Sequence, residues 1–201
     1  MFLIKSDYLP LIREDKLDQI TQADDTLLDR ALKASQEEAA GYTRHRYDYG
    51  LTYKSVTEVA SDAVTEVASD AVTGVLTGDR FYNTTTGLHY VATADGGADL
   101  TDTDFFEQRD SRNAKLVEVV VDIVLYNIHS RINPKSVPST RRIRYDGDDP
   151  KQQGGALGWL KMVQRGTVTP DLPVITDADG VTPQNTETLA FGITSNNAHA
   201  Y

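Results

Sequence analysis

Four histidines, a short run of aspartates and one cluster of arginines are the residues of this chain that could carry chemistry. His45, His89, His129 and His199 are the only imidazoles, so general-base or metal chemistry would have to draw on them. They lie far apart, and none sits in a ligand spacing such as HExxH. His45 and His129 fall near the ends of expected helices, where a structural role suits an imidazole. The segment DLTDTD sets Asp99, Asp102 and Asp104 among threonines, in the manner of a calcium loop. It lacks the glycine and the distal glutamate of an EF-hand, so it reads as incidental loop acidity. No carboxylate pair shows the apolar setting that would raise one pKa and lower the other. GxxxxGK[ST] and GxSxG are absent, and Gly154-Gly155 is too little for a phosphate cradle. With zero cysteines there is no thiolate nucleophile, no thiolate metal site and no disulfide framework. The expectation is a protein without catalysis, cofactor or metal.

The formal charge of −10 is unevenly placed. Residues 112–165 hold 10 basic and 5 acidic groups, whereas residues 50–111 hold 3 and 11. Arg141, Arg142 and Arg144 form the one local basic cluster, between Pro138 and the acidic run Asp146, Asp148 and Asp149. A charge run is ordinarily a solvated loop; the functional alternative is contact with the acidic face of a neighbour, another copy of this chain included. A second candidate lies in residues 166–201, which carry no lysine or arginine yet end in Phe191, Ile193, His199 and Tyr201. Disordered segments are poor in aromatics, so these four are expected as anchors of an extended segment that docks on a partner. No apolar run approaches the ~20 residues that span a bilayer, and no membrane contact is expected.

These groups must be positioned by a mainly α fold: a small helical bundle, residues 1–49 and 112–165, with a β-hairpin-containing insertion at 50–111 and a long extended C-terminal tail from 166. Ser6 or Asp7 is placed to cap a short first helix ending near Arg13. Asp24 and Asp25 open a second helix, with Leu28, Ala31, Leu32, Ser35, Ala39 and Tyr42 on one face. A third helix opens around Arg112-Asn113 and is apolar nearly all round, as the buried centre of a bundle is. Asn133-Pro134 stops it. A fourth runs from near Pro150 to Gly166 and should pack Trp159 and Leu160 against Leu125 and Val121. In the insertion, VTEVASDA occurs at Val56–Ala63 and again at Val64–Ala71. Its spacing suits a helix and its Val and Thr content suits strands; the reading taken is a helix or irregular arm. Asp79–Asn83 and Leu88–Thr93 flank Thr85-Thr86-Gly87 as a hairpin. Phe81, Tyr82, Tyr90, Phe105 and Phe106 should form the core of that small subdomain.

The order of GYTRHRYD (Gly41–Asp48), DIVLYNIHSRINPKSVP, GWLKMVQRGTVTPDLP and the terminal FGITSNNAHAY (Phe191–Tyr201) resembles the small head–tail connector, or adaptor, proteins of tailed bacteriophages. The likeness is to the forms of Mu-like prophages and of phages of gut Bacteroidetes. It covers residues 1–49 and 112–201, and within the insertion only FYN…GLHYVA and FFEQRDSRN. The resemblance implies a structural virion protein, made in the bacterial cytoplasm and located at the head–tail junction. It implies a homo-oligomeric ring, commonly a dodecamer, that binds the portal protein and the next tail or ring protein. Double-stranded DNA would pass through that ring without sequence-specific binding. The alternative is a glycan- or receptor-binding module, with the aromatic hairpin as its contact and the helices as its mount.

Overall fold

A computed structural model of the chain describes residues 1–22, 24–64, 74–132, 134–148 and 154–176. In order these form α1 (Lys5–Tyr8), α2 (Glu14–Thr21), α3 (Asp25–Thr43), α4 (Tyr49–Thr52), β1 (Val56–Val59), β2 (Arg80–Asn83) and β3 (Leu88–Ala92). They continue as β4 (Phe106–Glu107), α5 (Ala114–Ile132), α6 (Ser139–Asp146) and α7 (Gly155–Arg165).

Helix α5 is the axis of a helical lobe. Leu116, Val119, Val120, Val121, Ile123, Val124, Leu125 and Ile128 are all buried, so nearly every side of it meets protein. Asn113 starts it, its Oδ1 accepting from the Leu116 amide at 3.0 Å. Helix α3 packs along it through Leu28, Ala31, Leu32, Ala39 and Ala40. The alanines let the two backbones approach, and Asp24 caps α3 by accepting from the Thr26 amide at 2.8 Å. Helix α7 closes the lobe with Ala156, Leu160 and Val163 and ends at Gly166, left-handed at φ 74°. Trp159 departs from its expected place: Leu125, Val121 and Leu160 are fully buried together, but the indole is only partly buried at the rim of that core.

The basic stretch expected as a loop is helix α6, which buries none of its residues. Polar contacts hold it on α5. Tyr145 stacks on Tyr126 with centroids 4.0 Å apart and donates to Glu38 at 2.6 Å. Burial, reinforced by Glu38, pushes that phenol well above its ordinary pKa. The glycines after α6 make a close approach. Gly155 has φ +65°, and a Cβ there would sit 2.7 Å from the Arg144 carbonyl oxygen and 2.8 Å from the Gly147 nitrogen. The expected start near Pro150 lies outside the described residues.

The expectation of a mainly α bundle is corrected by the sheet. Four strands pair in the order β1-β2-β3-β4. The expected hairpin is present as antiparallel β2–β3, with Phe81 opposite Tyr90. Strand β4 adds antiparallel to β3, and β1 adds parallel to β2 with Val56 opposite Arg80. The first copy of the octapeptide therefore begins as a strand, not a helix or irregular arm. Its β-branched residues suit a pleated, half-buried edge, and this outweighed its helical spacing. The second copy is described only at Val64, which is buried. Val64, Val75, Phe81, Tyr90, Ala92, Leu100 and Phe106 make a second hydrophobic core, so the fold mixes α and β in two adjoining lobes.

Those lobes are joined more closely than an insertion reading supposes. Tyr53, just past α4, belongs to the helical core and meets the Phe2 ring edge-on at 5.3 Å. The Val56 amide donates to the Met1 carbonyl at 2.6 Å. Beyond α7 the chain comes back to the helical lobe before it leaves the described residues. Leu172 packs on the core, the Asp48 amide donates to the Pro173 carbonyl at 2.9 Å, and the Ile175 amide to the Arg46 carbonyl at 3.1 Å.

Candidate interaction site

Helix α6 carries the three arginines expected to bind a partner, and two of them are turned to the protein itself. Arg144 Nε donates to Asp122 Oδ1 at 2.7 Å, and its Nη2 to Glu118 at 3.2 Å. Asp122 lies on the buried side of α5, where desolvation lifts its pKa against the opposing pull of Arg144. Arg141 reaches the Leu11 carbonyl oxygen at 2.6 Å, in the turn between α1 and α2. Arg142 is exposed, next to Ile143, itself exposed at 37%. Of the cluster, Arg142 is the cation left for a partner. Phe191, Ile193, His199 and Tyr201 lie outside the described residues.

The hairpin aromatics divide between core and surface: Tyr82 and Phe105 are only partly buried. Phe81, Tyr90 and Phe106 are buried, and Phe81 meets Phe106 edge-on at 5.7 Å. Tyr82 lies against His89, with centroids 4.8 Å apart.

The densest polar cluster centres on Arg112, read from sequence only as the start of a helix. Its side chain is 2% exposed. It donates to Asp7 at 2.7 and 3.0 Å, to Asp110 at 2.8, 3.0 and 3.2 Å, and to the Phe2 carbonyl oxygen at 2.9 Å. Burial alone would lower the guanidinium pKa; the bonds to Asp110 and Asp7 more than offset it and hold the pKa above its ordinary value. His89 Nε2 sits 3.1 Å from Nη2. Arginine has no acceptor, so Nε2 must supply a lone pair, and the imidazole is neutral with its proton on Nδ1. Burial accordingly drives the His89 pKa below its usual 6.5, with Asp110 opposing. These groups come from α1, β3, the β4–α5 connection and the N-terminal strand of chain, so the cluster clamps one lobe to the other. Its components are saturated by one another, as the groups of a structural joint are. The signal available in the sequence was RDSRN, an arginine two residues after an aspartate at a helix start, which is too common to single out.

Of the remaining chemical candidates, the aspartates and His129 bond within four residues of themselves, while His45 reaches a distant part of the chain. Asp99 accepts from the Thr101 amide at 2.9 Å and its hydroxyl at 2.7 Å, and Asp102 from the Asp104 amide at 3.0 Å. These carboxylates shape their own loop. His129 Nδ1 lies 2.7 Å from the Leu125 carbonyl oxygen, and His45 Nε2 3.2 Å from that of Gln164. Among the described residues no group of three or more His, Asp or Glu side chains could hold a metal ion, and no helix is long and apolar enough to cross a membrane.

Comparison with known proteins gives no relative: no family model, no curated protein and no solved structure matches this chain.

Proposed function

We propose that this chain is a structural subunit of a bacteriophage head–tail junction, assembling as a ring between the portal and the tail. In that role it extends the DNA exit channel and gives the next component a platform. A ring follows from a head-to-tail contact whose rotation closes. The reading rests on the order of the motifs shared with adaptor proteins, and one structural observation supports it. The C-terminal segment starts from a fixed point: Leu172 seats on the helical core, and Pro173 and Ile175 pair with Asp48 and Arg46. Residues 177–201 follow, and fully extended they could reach up to ~80 Å, enough to cross a neighbouring subunit. An acidic protein also suits a channel wall, because a basic one would hold phosphates.

The test is a truncation. Removing Phe191–Tyr201 should leave a folded, soluble subunit with unchanged thermal stability that fails to join the particle. Incorporation of the truncated chain at wild-type occupancy, or unfolding of the monomer itself, would remove the docking role of the segment.

A further inference from the structure

Between the two lobes runs a cleft of about 340 Å³, walled by Ile4, Lys5, Tyr8, Leu28, Asp29 and Tyr82, with Asp25 and Glu58 at its mouth. Two polar atoms on this wall are buried without a hydrogen-bond partner, Tyr8 Oη and Asp29 Oδ1. Buried polar atoms are ordinarily paired, so a built cleft that keeps these two bare is shaped for something that satisfies them. Tyr8 is 1% exposed. Its burial, together with the charges of Asp7 and Asp29, holds the phenol neutral by raising its pKa. Lys5 lies 3.9 Å from Asp25, and the Met1 nitrogen is engaged by the Val56 carbonyl at 3.2 Å. The Met1 ammonium also feels Glu58 and Asp29, so Asp25, Asp29 and Glu58 face two cations, Lys5 and that ammonium, and the cleft keeps one net negative charge beside apolar and aromatic walls. The group that fits is a cation with several N–H donors and a flat or apolar stem, which describes an arginine side chain.

The chain itself offers such a group on another surface. Arg142 stands exposed on α6 beside exposed Ile143, its side chain without an ion pair or hydrogen bond among the described residues. The corner where α5 ends adds Ile132, 57% exposed, between exposed Arg131 and Lys135. None of these residues lines the cleft, and the residues that hold α6 in place (Leu11, Glu118, Asp122, Glu38, Tyr126) do not line it either. One subunit can therefore present both surfaces at once. Residues 177–201 carry three carboxylates and no lysine or arginine, so charge turns them away from this cleft.

We infer that the interlobe cleft is one half of a heterologous contact between copies of this chain, receiving Arg142 from α6 of the next copy against Asp29, Glu58 and the Tyr8 hydroxyl. The inference rests on the ring reading, since head-to-tail pairing of two unlike patches gives a closed ring when its rotation closes. It adds which two surfaces meet.

The experiment uses the full chain and measures oligomer size by analytical ultracentrifugation at low and moderate salt. Wild type should form a closed oligomer that weakens as salt rises, because part of the contact is ionic. Arg142→Glu should lower the association constant at least tenfold, and so should Asp29→Lys combined with Glu58→Lys. Each should leave circular dichroism unchanged. Mixing the two variants should restore association between unlike chains, since one supplies an intact α6 surface and the other an intact cleft; closure of a ring would also need the two charge-reversed surfaces to pair. Wild-type-like assembly of Arg142→Glu would overturn the inference while leaving the ring reading intact. Loss of assembly in the cleft variant alone would overturn it too, because the cation would then come from another source. A wild-type chain that stays monomeric at all concentrations would overturn both.

Discussion

Replacing Arg112 tests whether the two lobes are one cooperative unit. In Arg112→Met the stem is kept in volume and the guanidinium is lost. Its departure strips Asp7 of bonds at 2.7 and 3.0 Å and the Phe2 carbonyl of one at 2.9 Å. The Asp7 side chain is only 10% exposed, so it would be left charged and nearly dry, although the Ile4 amide still donates to it at 2.8 Å. Asp110, 40% exposed, can turn to water at small cost. Breaking a buried pair from one side typically costs ~3–5 kcal/mol; because only one of the two carboxylates is trapped, ~3 kcal/mol is expected. Denaturant unfolding should be followed by two probes: fluorescence of Trp159, which reports the helical lobe, and far-UV circular dichroism, which reports both. The transitions should coincide in wild type and separate in the variant, the sheet lobe melting first. Combining Arg112→Met with Asp7→Asn should cost clearly less than the two changes added, because the second removes the stranded charge. A loss under about 1 kcal/mol with coincident transitions would refute the clamp.

Deletion of one octapeptide copy should change stability by under ~1 kcal/mol by closure entropy, because Val64–Ala71 restores the same residues after Ser55; Val56→Asp, by contrast, should be strongly destabilising in a thermal melt. Leu160→Ala should cost ~2–5 kcal/mol, and Trp159→Ala less, since the indole is partly exposed; chemical denaturation that reverses this order would misplace α7. The His89 pKa is depressed below 6.5 when folded, so the unfolded chain takes up the proton first. Its stabilising contribution is present above 6.5 and is lost as pH falls through the folded value. A titration of melting temperature should show that loss, and His89→Gln should flatten it.

Much of the helical lobe was legible because its determinants are local. Asp24 announces α3, Asn113 announces α5, Gly166 ends α7, and a helix apolar on all sides can only be central. The hairpin was legible for the same reason, from two short runs around Thr85-Thr86-Gly87. What escaped is non-local. Strand β1 pairs in parallel with a strand more than twenty positions away, and no spacing within VTEVASDA reports that neighbour. Helix α6 has no apolar face to betray it, since its hold on α5 is an ion pair and a stacked tyrosine. Gly155 carries no local signal, because its reason is a carbonyl eleven positions earlier. In the expected partner site, the charge of Arg141 and Arg144 was readable but their direction was not; both point home.

The sheet lobe cannot be a removable insertion. Among the described residues its core is seven buried side chains around four short strands, and such small sheets need a packing partner to persist in water. The helical lobe supplies one through Tyr53, Phe2 and the Arg112 clamp. The dependence runs the other way as well. Without Val56 the Met1 carbonyl loses its donor, and without His89 and Asp110 the buried guanidinium keeps only Asp7 and a carbonyl. The described residues of 50–111 therefore pack as a second lobe against the first, and the cleft where the lobes meet exists only when both are folded. An interface built on that cleft would then admit only completed subunits, so assembly through it would be conditional on folding without any further device.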